Sequence, residues 1–483
     1  MYSQPLFLSL QDKLITMFIK QFYTNCLSEA AYYIESEGEV AIIDPLRDID
    51  AYLELATERK AKIKYIFETH FHADFVSGHL DLSKQTGAPI IYGPNAKTQY
   101  RIHSAKDGEI LPLGKLSIEV IHTPGHTLES SCYLLKDENN KPHAIFTGDT
   151  LFVGDVGRPD LSSGTMSTED LAAIMYETIQ TKILPLQDHI LVYPAHGPGS
   201  SCGKNLGPNT HSTIGEQKQT NYALKPQSKE EFVKAVTTGL QTAPVYFAIN
   251  AKINQQGYEE VKKVAQQGTQ TLSIADFKNA VSEGAIILDT RNATIFTQGF
   301  IPGSISIGLE GRFAEWAGMI LPFDQKLVLV TEAGKEEETV IRLSRVGFEN
   351  MQGCLKGGFE AWQTAGEKID LIIDIEADEL MMDIPHDPNL LVVDVRKETE
   401  FGEGHLEHAM NLPLSEMTNI VELAQFEETQ NLYIHCAGGY RSVIAASLLK
   451  RQGVNNLRNV LGGWNSIKQQ EKVKIVKEAN VLN

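Results

Sequence analysis

A duplicated segment occupies the carboxyl-terminal part of the chain. Several residues recur after a spacing of 105 positions: Asp289 and Arg291 as Asp394 and Arg396, Phe296 as Phe401, and Gly357, Gly358 and Phe359 as Gly462, Gly463 and Trp464. Solenoid repeats are only about 20–50 residues long, so a repeat of this length is one whole domain. We therefore predict two copies of one fold, at 269–372 and 373–475.

The preceding residues, 17–250, alternate short β-rich runs with polar or helical stretches. These runs are VAIID, IKYIFET, PIIYG, LSIEVIH, HAIFTGD and HILVYPA. Such alternation is typical of an α/β domain. Residues 251–268 are polar and rich in glutamine, which predicts a linker or a solvated helix between two units. Three α/β domains then account for the 483 residues.

Composition excludes several classes of protein. The formal net charge of −19 repels phosphate backbones, so nucleic acid is not an expected partner. The five cysteines are scattered and form no Cys-x-x-Cys pair, which favours a reducing compartment over a disulfide framework. No apolar run approaches the roughly 18 residues of a membrane span, and residues 1–16 lack the features of a signal peptide. We expect a cytoplasmic protein, with no function assigned to its first sixteen residues.

Histidines and aspartates follow the ends of four apolar β runs. They are His70, His72 and Asp74 in THFHADF, His126 in TPGHT, Asp149 in TGDT and His196 in YPAHG. Loops at the ends of strands are where α/β sheets collect polar functional side chains. Imidazole and carboxylate are ligands for zinc, iron or manganese. Any one of these histidines alone is as easily a surface or capping residue, but the whole ordered set predicts a metal centre.

This ordered set resembles the metallo-β-lactamase superfamily, in which H-x-H-x-D-H is followed by a histidine, a bridging aspartate and a last histidine. The resemblance covers residues 17–250 and implies an αββα sandwich. The chain departs from the pattern at Phe75, where the family has its third clustered histidine. A phenyl ring cannot coordinate a metal, so the second metal position keeps only Asp74, Asp149 and His196. We therefore predict one metal ion rather than two.

Within the superfamily, the segments ETHFHADFVSGH, TPGHT, GDTLFVGDVGRPDL and YPAHGPGS resemble the persulfide dioxygenases. That resemblance implies one Fe(II) held by His70, His126 and Asp149, with His72 beside the metal as a supporting group. Two histidines and one carboxylate leave coordination positions open for oxygen and substrate. Zinc is the alternative metal, but it has no redox chemistry with which to activate oxygen.

Two further residues are candidates for the same site. The resemblance implies that Arg158 contacts an anionic thiol substrate, for which a guanidinium is suited, while a surface salt bridge is an equally good interpretation. Cys202 lies in a glycine-rich turn six residues after His196. It either faces the metal pocket and handles a persulfide or is a small buried core residue.

In the last repeat, the β run LYIH leads into Cys436 and the segment AGGYRSVIAASLLKRQG. A cysteine followed by glycines and a helix receives backbone N–H groups and the helix dipole, which favour its thiolate. Arg441 adds positive charge. The segment resembles the rhodanese loop C-x-x-G-x-R-S, and a C-x4-R spacing favours sulfur transfer over the phosphatase chemistry of C-x5-R loops.

The first repeat lacks both of these groups. Thr331 stands where Cys436 stands in the second repeat, and Glu336 stands where Arg441 stands. Threonine cannot form a persulfide, and the glutamate repels anions. We expect this copy to be inactive and to serve as a spacer or as part of a homo-oligomer interface.

The expected activity is oxidation of a glutathione, coenzyme A or bacillithiol persulfide by O2 to sulfite, followed by rhodanese transfer of sulfur to sulfite, which gives thiosulfate. This is sulfide detoxification, inferred from resemblance to fusions of the two domain types. One rival is a thioester hydrolase with two zinc ions, as in the glyoxalase II family. Another is a carrier or sensor of sulfane sulfur that uses Cys436 without turnover.

Overall fold

The computed structural model describes residues 17–161, 166–204, 206–240, 242–417, 426, 429–471 and 473–478. The chain divides into two compact units. The first unit runs to Ala243 and also includes Phe247–Tyr258, and the second includes Pro244–Tyr246 and the residues from Glu259 onward. The segment 1–16, to which no function was assigned, lies outside the described residues.

Two six-stranded sheets form the framework of the first unit. The strands of one sheet, in spatial order, are Phe18–Thr24, Glu29–Ser36, Glu39–Ile43, Lys62–Phe67, Ile90–Tyr92 and His103–Ser104. Those of the other, in spatial order, are Ser212–Thr213, Leu191–Pro194, Pro142–Gly148, Ser131–Lys136, Leu116–His122 and Ile110–Leu113. The helices are Asp50–Glu58, His79–Thr86, Thr168–Thr178, Ile214–Thr220, Lys229–Thr237 and Tyr246–Gln256, with a π-helical turn at Ile179–Ile183 and a 3-10 turn at Tyr222–Leu224.

The apolar residues explain why the two sheets stack. Along Glu29–Ser36, Tyr32 and Ile34 enter a core shared with the second sheet, whereas Ala31 and Tyr33 face the helices outside. Successive side chains of a strand point to opposite faces, so a strand covered on both faces is apolar throughout. Helices Asp50–Glu58 and Thr168–Thr178 pack on the outer faces of the two sheets. The predicted αββα sandwich is confirmed.

The segment 251–268, predicted to be a linker or a solvated helix, begins within a helix. Helix Tyr246–Gln256 spans its first residue, Ala251, and residues as far as Tyr258 belong to the first unit. Asn254 is wholly buried there, although the polar composition of the segment predicted solvent exposure. Its amide group takes part in hydrogen bonds that apolar patterning does not reveal.

The second unit contains two five-stranded parallel sheets with the same connectivity. The first has the spatial order Thr271–Leu272, Met351–Leu355, Leu327–Val330, Ile286–Asp289 and Ile305–Ser306. The second has the order Ile373–Ile375, Leu457–Val460, Asn431–His435, Leu390–Asp394 and Met410–Asn411. A short antiparallel pair, His405–Leu406 with Ile475–Val476, lies beside the second sheet.

Helices connect the parallel strands of both sheets. In the first repeat they are Ile274–Ser282, Ala293–Gln298, Phe313–Ile320, Glu336–Ser344 and Gly358–Thr364, and a further helix, Val261–Gly268, precedes its first strand. In the second repeat they are Ala377–Asp383, Glu398–Gly402, Tyr440–Arg451 and Gly463–Ile467, with a 3-10 turn at Leu414–Glu416. The predicted duplication is therefore a duplication of fold.

The repeated aspartate–arginine pair serves the same purpose in both copies. The Arg291 Nη2 atom lies 2.6 Å from the Asp289 Oδ2 atom, and Arg396 Nη2 lies 2.6 Å from Asp394 Oδ2. Each arginine also donates to a backbone carbonyl, of Gly299 or Gly404. A buried pair with its donors satisfied fixes the loop that follows the central strand. The recurrence of these residues is thus a requirement of the fold.

Two further observations concern the predicted surroundings of the protein. Within the described part of the chain, no helix combines the length and apolarity needed to cross a bilayer. Cys132, Cys202, Cys354 and Cys436 are buried free thiols.

Candidate metal centre and cysteine loop

The predicted ligands of the first unit meet at one end of its two sheets. His70 and His72 follow strand Lys62–Phe67, His126 follows Leu116–His122, and Asp149 follows Pro142–Gly148. The last ligand, His196, follows Leu191–Pro194, which is parallel to Pro142–Gly148. Strands that run in the same direction deliver their following loops to the same edge, which brings together residues from distant parts of the sequence.

Three of these residues form one compact set. The nitrogen and oxygen atoms offered by His70, His126 and Asp149 all lie within 4.8 Å of one another, and all three side chains are buried. The Asp149 Oδ2 atom is 3.4 Å from His126 Nε2 and 3.8 Å from His70 Nε2. Two atoms that each lie about 2.1 Å from one ion are roughly 3.0–3.4 Å apart, so a small contraction would let this set hold a metal.

The ring nitrogens that face away from the set have partners. The His126 Nδ1 atom lies 2.8 Å from the carbonyl oxygen of Arg158, and His70 Nδ1 lies 3.0 Å from Thr69 Oγ1. Thr69 Oγ1 in turn donates to Asp44 Oδ2 at 2.8 Å. Such partners fix the orientation of metal-binding imidazoles. Burial lowers the pKa of His70 well below its ordinary value, and the neighbouring imidazoles lower it further, so its ring is neutral and able to ligate.

Orphaned polar atoms test whether the residues fit a metal. Both carboxylate oxygens of Asp149 and the Nε2 atom of His196 are buried without a hydrogen-bond partner among the described residues. A buried carboxylate without a partner is costly, and a bound cation removes that cost. The donor set therefore fits a divalent metal ion, as the sequence predicted.

His72 lies beside this set and is held by carboxylates. Its Nε2 atom is 3.1 Å from Asp44 Oδ1 and 3.5 Å from Glu68 Oε2. Burial lowers the pKa of His72, but these two carboxylates outweigh burial and raise it well above its ordinary value. His72 also forms a second buried group with Asp74 and His196, whose ligand atoms lie within 4.8 Å of one another.

Phe75 occupies the interior of the site. Its side chain is fully buried, and its ring centroid lies 4.3 Å from that of His72. The amide nitrogen of Asn254 donates to the carbonyls of His72 and Phe75, both at 2.8 Å, and its oxygen accepts from the Ser77 backbone at 2.9 Å. Asn254 thus clamps the ligand loop from a segment that was predicted to be a linker.

Arg158 forms a salt bridge below the surface of the first unit. It is buried rather than on the surface, and its Nε and Nη2 atoms donate to the two carboxylate oxygens of Asp160, each at 2.7 Å. Its Nη1 atom donates to the Ser201 carbonyl at 3.2 Å. The guanidinium is therefore engaged within the protein, and its backbone carbonyl orients His126.

Cys202 faces the metal set. Its sulfur, the Asp149 carboxylate and a His196 nitrogen lie within 4.8 Å of one another. Burial raises the pKa of the Cys202 thiol well above its ordinary value, and the carboxylates of Asp74 and Asp149 raise it further. The structure thus places this cysteine at the metal set rather than in a remote part of the core.

The second unit builds the reactive loop as expected. Cys436 follows strand Asn431–His435, and its sulfur accepts a hydrogen bond from the Gly439 backbone N–H at 3.1 Å. Gly439 has a φ of 111°, a backbone conformation open to glycine. Helix Tyr440–Arg451 begins immediately afterwards. The loop therefore directs a backbone donor and a helix N-terminus toward the sulfur.

Arg441 is paired within the protein. Its Nη1 and Nη2 atoms donate to the two carboxylate oxygens of Glu400 at 2.6 and 2.8 Å. Glu400 belongs to helix Glu398–Gly402, and no local motif predicted this pairing. The positive charge predicted at the loop is therefore partly neutralised in this structure.

The first repeat contacts the reactive loop. The Tyr440 hydroxyl donates to the Gly308 carbonyl at 2.7 Å, and the Ser447 hydroxyl accepts from the Ser306 backbone N–H at 3.0 Å. Thr331 follows strand Leu327–Val330, as Cys436 follows Asn431–His435. The two loops are structurally equivalent, and the one without a cysteine belongs to the repeat that braces the other.

Several residues of these sites were missed from the sequence. Asp44 follows the apolar run VAII, the same signal that identified Asp149, and Glu68 directly precedes the ligand segment. Those two could have been included. Asp160 lies only two residues after Arg158 and could also have been included, whereas Asn254 and Glu400 carry no comparable local signal, because their partners are distant in the sequence.

Comparisons with known proteins agree with this architecture. Residues 24–196 match the metallo-β-lactamase superfamily, and residues 273–365 and 376–470 match the rhodanese-like domain. The chain is 28% identical over 232 residues to hydroxyacylglutathione hydrolase GloC of Haemophilus influenzae, covering 44% of this chain and 97% of that protein. It is 30% identical over 183 residues to the cytoplasmic hydroxyacylglutathione hydrolase of Arabidopsis thaliana, covering 37% of this chain and 67% of that protein.

A solved structure extends the likeness beyond the first unit. A metallo-β-lactamase from Staphylococcus aureus is 32% identical, with a TM-score of 0.63, over 70% of this chain and 99% of its own. The chain belongs to the metallo-β-lactamase superfamily, and two rhodanese-like domains follow its metallo-β-lactamase fold.

Proposed function

We propose that this protein oxidises low-molecular-weight persulfides to sulfite at one Fe(II) ion and transfers sulfur through Cys436 to give thiosulfate. The metal would be held by His70, His126 and Asp149, in the cytoplasm. The substrates would be O2 and a persulfide of glutathione, coenzyme A or bacillithiol. The protein would act as an enzyme of sulfide detoxification, with the first rhodanese-like repeat available for homo-oligomer formation.

The observation that carries this proposal is Phe75 at the metal set. By the resemblance to the superfamily motif, this buried residue takes the place of the histidine that would complete a second metal site, and the neighbouring His72 directs Nε2 toward Asp44 and Glu68. The set of two histidines and one carboxylate matches mononuclear non-haem iron sites that keep open positions. Iron, when bound, would supply the activation of oxygen.

The surrounding residues orient and enclose that site. The Arg158 carbonyl directs His126 Nε2 inward. Thr69, whose hydroxyl is hydrogen-bonded to Asp44, does the same for His70. The buried Cys202 thiol lies near Asp149 and would contact the persulfide sulfur. The overall reaction is balanced: a persulfide, O2 and water give the parent thiol, sulfite and two protons.

The second step requires no further oxidant. The Cys436 thiolate attacks the outer sulfur of a persulfide, the S–S bond breaks, and the carrier leaves as its thiolate. Sulfite then attacks the outer sulfur of the Cys436 persulfide, thiosulfate forms, and the Cys436 thiolate returns. The Gly439 N–H would stabilise negative charge on this sulfur in both steps.

Oxygen uptake and product analysis test the two steps separately. Glutathione persulfide is added to the wild-type chain, His126→Ala and Cys436→Ser, and oxygen, sulfite and thiosulfate are measured. We expect uptake to disappear in His126→Ala and to persist in Cys436→Ser, where sulfite should replace thiosulfate. Wild-type protein that consumes no oxygen with bound iron would exclude the dioxygenase step.

A thioester hydrolase with two zinc ions is the second candidate. The buried group of His72, Asp74 and His196 favours it, because these residues could contribute to a second metal site. Hydroxyacylglutathione hydrolases among the relatives also favour it. Hydrolysis of S-lactoylglutathione, a thioester of the glyoxalase II type, without oxygen uptake would establish this alternative.

A further inference from the structure

A cavity of about 380 Å³ lies beside the reactive loop in the second repeat. Ala437, the residue after Cys436, contributes to its wall, and the Trp464 backbone N–H donates to the Cys436 carbonyl at 2.7 Å. The volume is within the range of about 300–1,000 Å³ usual for small-molecule pockets. The cavity is therefore large enough for more than the transferred sulfur atom.

Two elements supply the opposite walls. Trp464 and Lys468 are four residues apart, and both border the cavity from helix Gly463–Ile467 and its carboxyl end. Ile475 and Lys477 border it from the last strand, which pairs with His405–Leu406. Gly404 also borders the cavity, and a Cβ atom there would be in ordinary van der Waals contact with Ile475 Cγ2 and Trp464 Cζ2.

The charges around the cavity are of both signs. Glu400 is paired with Arg441, and Arg396 is paired with Asp394. Lys468, Lys477 and Glu403 also border the cavity, and within the described part of the chain none of these three has an ion-pair partner. In a chain with a net charge of −19, two lysines on one cavity form a local anion-binding feature.

We infer that this cavity binds the non-reacting body of the sulfur donor, and that the donor is a small thiol persulfide carrying both carboxylate and ammonium groups. Lys468 and Lys477 would bind its carboxylates, Glu403 would bind its ammonium group, and Trp464 with Ile475 would pack on its carbon chain. The inference rests on the proposed sulfur transfer at Cys436. A thiol whose charges are all phosphates would gain no partner for Glu403.

The subsite acts before the bond-breaking step. It would hold the carrier while the Cys436 thiolate attacks the outer sulfur and the carrier thiolate departs, so it should alter donor binding more than the limiting rate. Thiosulfate delivers the same sulfur without such a body. Donors with and without the body therefore separate this role from a general effect on Cys436.

The test measures sulfur loading of Cys436 in the full-length chain by mass spectrometry, under anaerobic conditions that silence oxygen chemistry. Glutathione persulfide is the zwitterionic donor, coenzyme A persulfide the phosphate-bearing donor and thiosulfate the small donor. Lys468→Ala and Glu403→Gln are compared with Lys474→Ala. Lys474 is an exposed lysine of the same region that pairs with Glu407 and does not border the cavity.

We expect Lys468→Ala and Glu403→Gln each to raise the half-saturating glutathione persulfide concentration about fivefold to tenfold, the effect of one typical hydrogen bond. The limiting rate, the thiosulfate dependence and Lys474→Ala should stay within about twofold of wild type. Equal effects on thiosulfate, no effect on glutathione persulfide, or unchanged preference for coenzyme A persulfide in Glu403→Gln would overturn the subsite. Failure of every donor to load wild-type Cys436 would instead overturn the proposed sulfur transfer.

Discussion

Replacing Phe75 with histidine should convert the metal centre from one ion to two. The substitution adds an imidazole to the group formed by Asp74, Asp149 and His196, and so restores the H-x-H-x-D-H pattern of the superfamily. His196 Nε2 already lies 3.4 Å from Asp74 Oδ2 and 3.5 Å from Asp149 Oδ1. These separations allow a second cation to be held by the three residues together with the new histidine.

The cost of Phe75→His in the absence of metal follows from its burial. Phe75 is 0% exposed and its ring packs on that of His72, so a histidine there buries a polar nitrogen. An unsatisfied buried polar group costs about 1–3 kcal/mol of the free energy of unfolding. Zinc at a hundredfold excess over its dissociation constant would return about 2.7 kcal/mol. Metal should therefore largely restore the stability of the variant.

The assay combines metal analysis with unfolding in the presence and absence of zinc. We expect about two metal ions per Phe75→His chain and reduced persulfide-dependent oxygen uptake. Adding zinc should raise the free energy of unfolding of this variant by more than it raises that of the wild type. Phe75→Leu is the matched control, since it disturbs the same packing but cannot ligate. A Phe75→His chain that still binds one ion, with a zinc response equal to that of Phe75→Leu, would refute the role assigned to Phe75.

Three other substitutions test positioning contacts. Tyr440→Phe removes the hydrogen bond to Gly308 and should slow Cys436 sulfur loading by up to about tenfold. Oxygen uptake should be unchanged. An unaltered loading rate would show that this contact does not position the loop. Asp160→Ala leaves the buried Arg158 guanidinium without its carboxylate and should lower the free energy of unfolding, measured by denaturant titration, by about 3 kcal/mol. The amount of bound iron should fall too. Wild-type values for both quantities would contradict the role of this pair. Burial raises the pKa of Glu400, but the pairing with Arg441 outweighs burial, and the pKa is lowered overall. The pair should therefore stabilise the fold at a pH above the ordinary glutamate pKa. That stabilisation should be lost as the pH falls through the lowered pKa. Acid unfolding of Glu400→Gln should therefore approach that of wild type at low pH, and a gap that widens there would contradict the pairing.

The fold was predictable because its determinants are local and repeated. His70, His126 and Asp149 each follow an apolar run that forms a strand. Strands that run in the same direction bring these residues together. The spacing between Asp289 and Asp394 revealed two domains with the same sheet order. Both signals are periodic or positional, so they survive in a single sequence.

The parts that were missed depend on distant pairs. The pairing of Arg441 with Glu400, 41 residues away, was not predicted. Asn254 lies about 180 residues from the loop that it clamps. A hydrogen bond of this kind leaves no pattern near either partner.

The most direct test of the proposed mononuclear iron centre is the metal content of the wild-type chain purified without oxygen. We expect about one iron per chain, little zinc, and oxygen uptake that scales with bound iron when glutathione persulfide is added. Two zinc ions per chain, with no oxygen uptake after reconstitution with iron, would contradict the proposal and establish the hydrolase alternative.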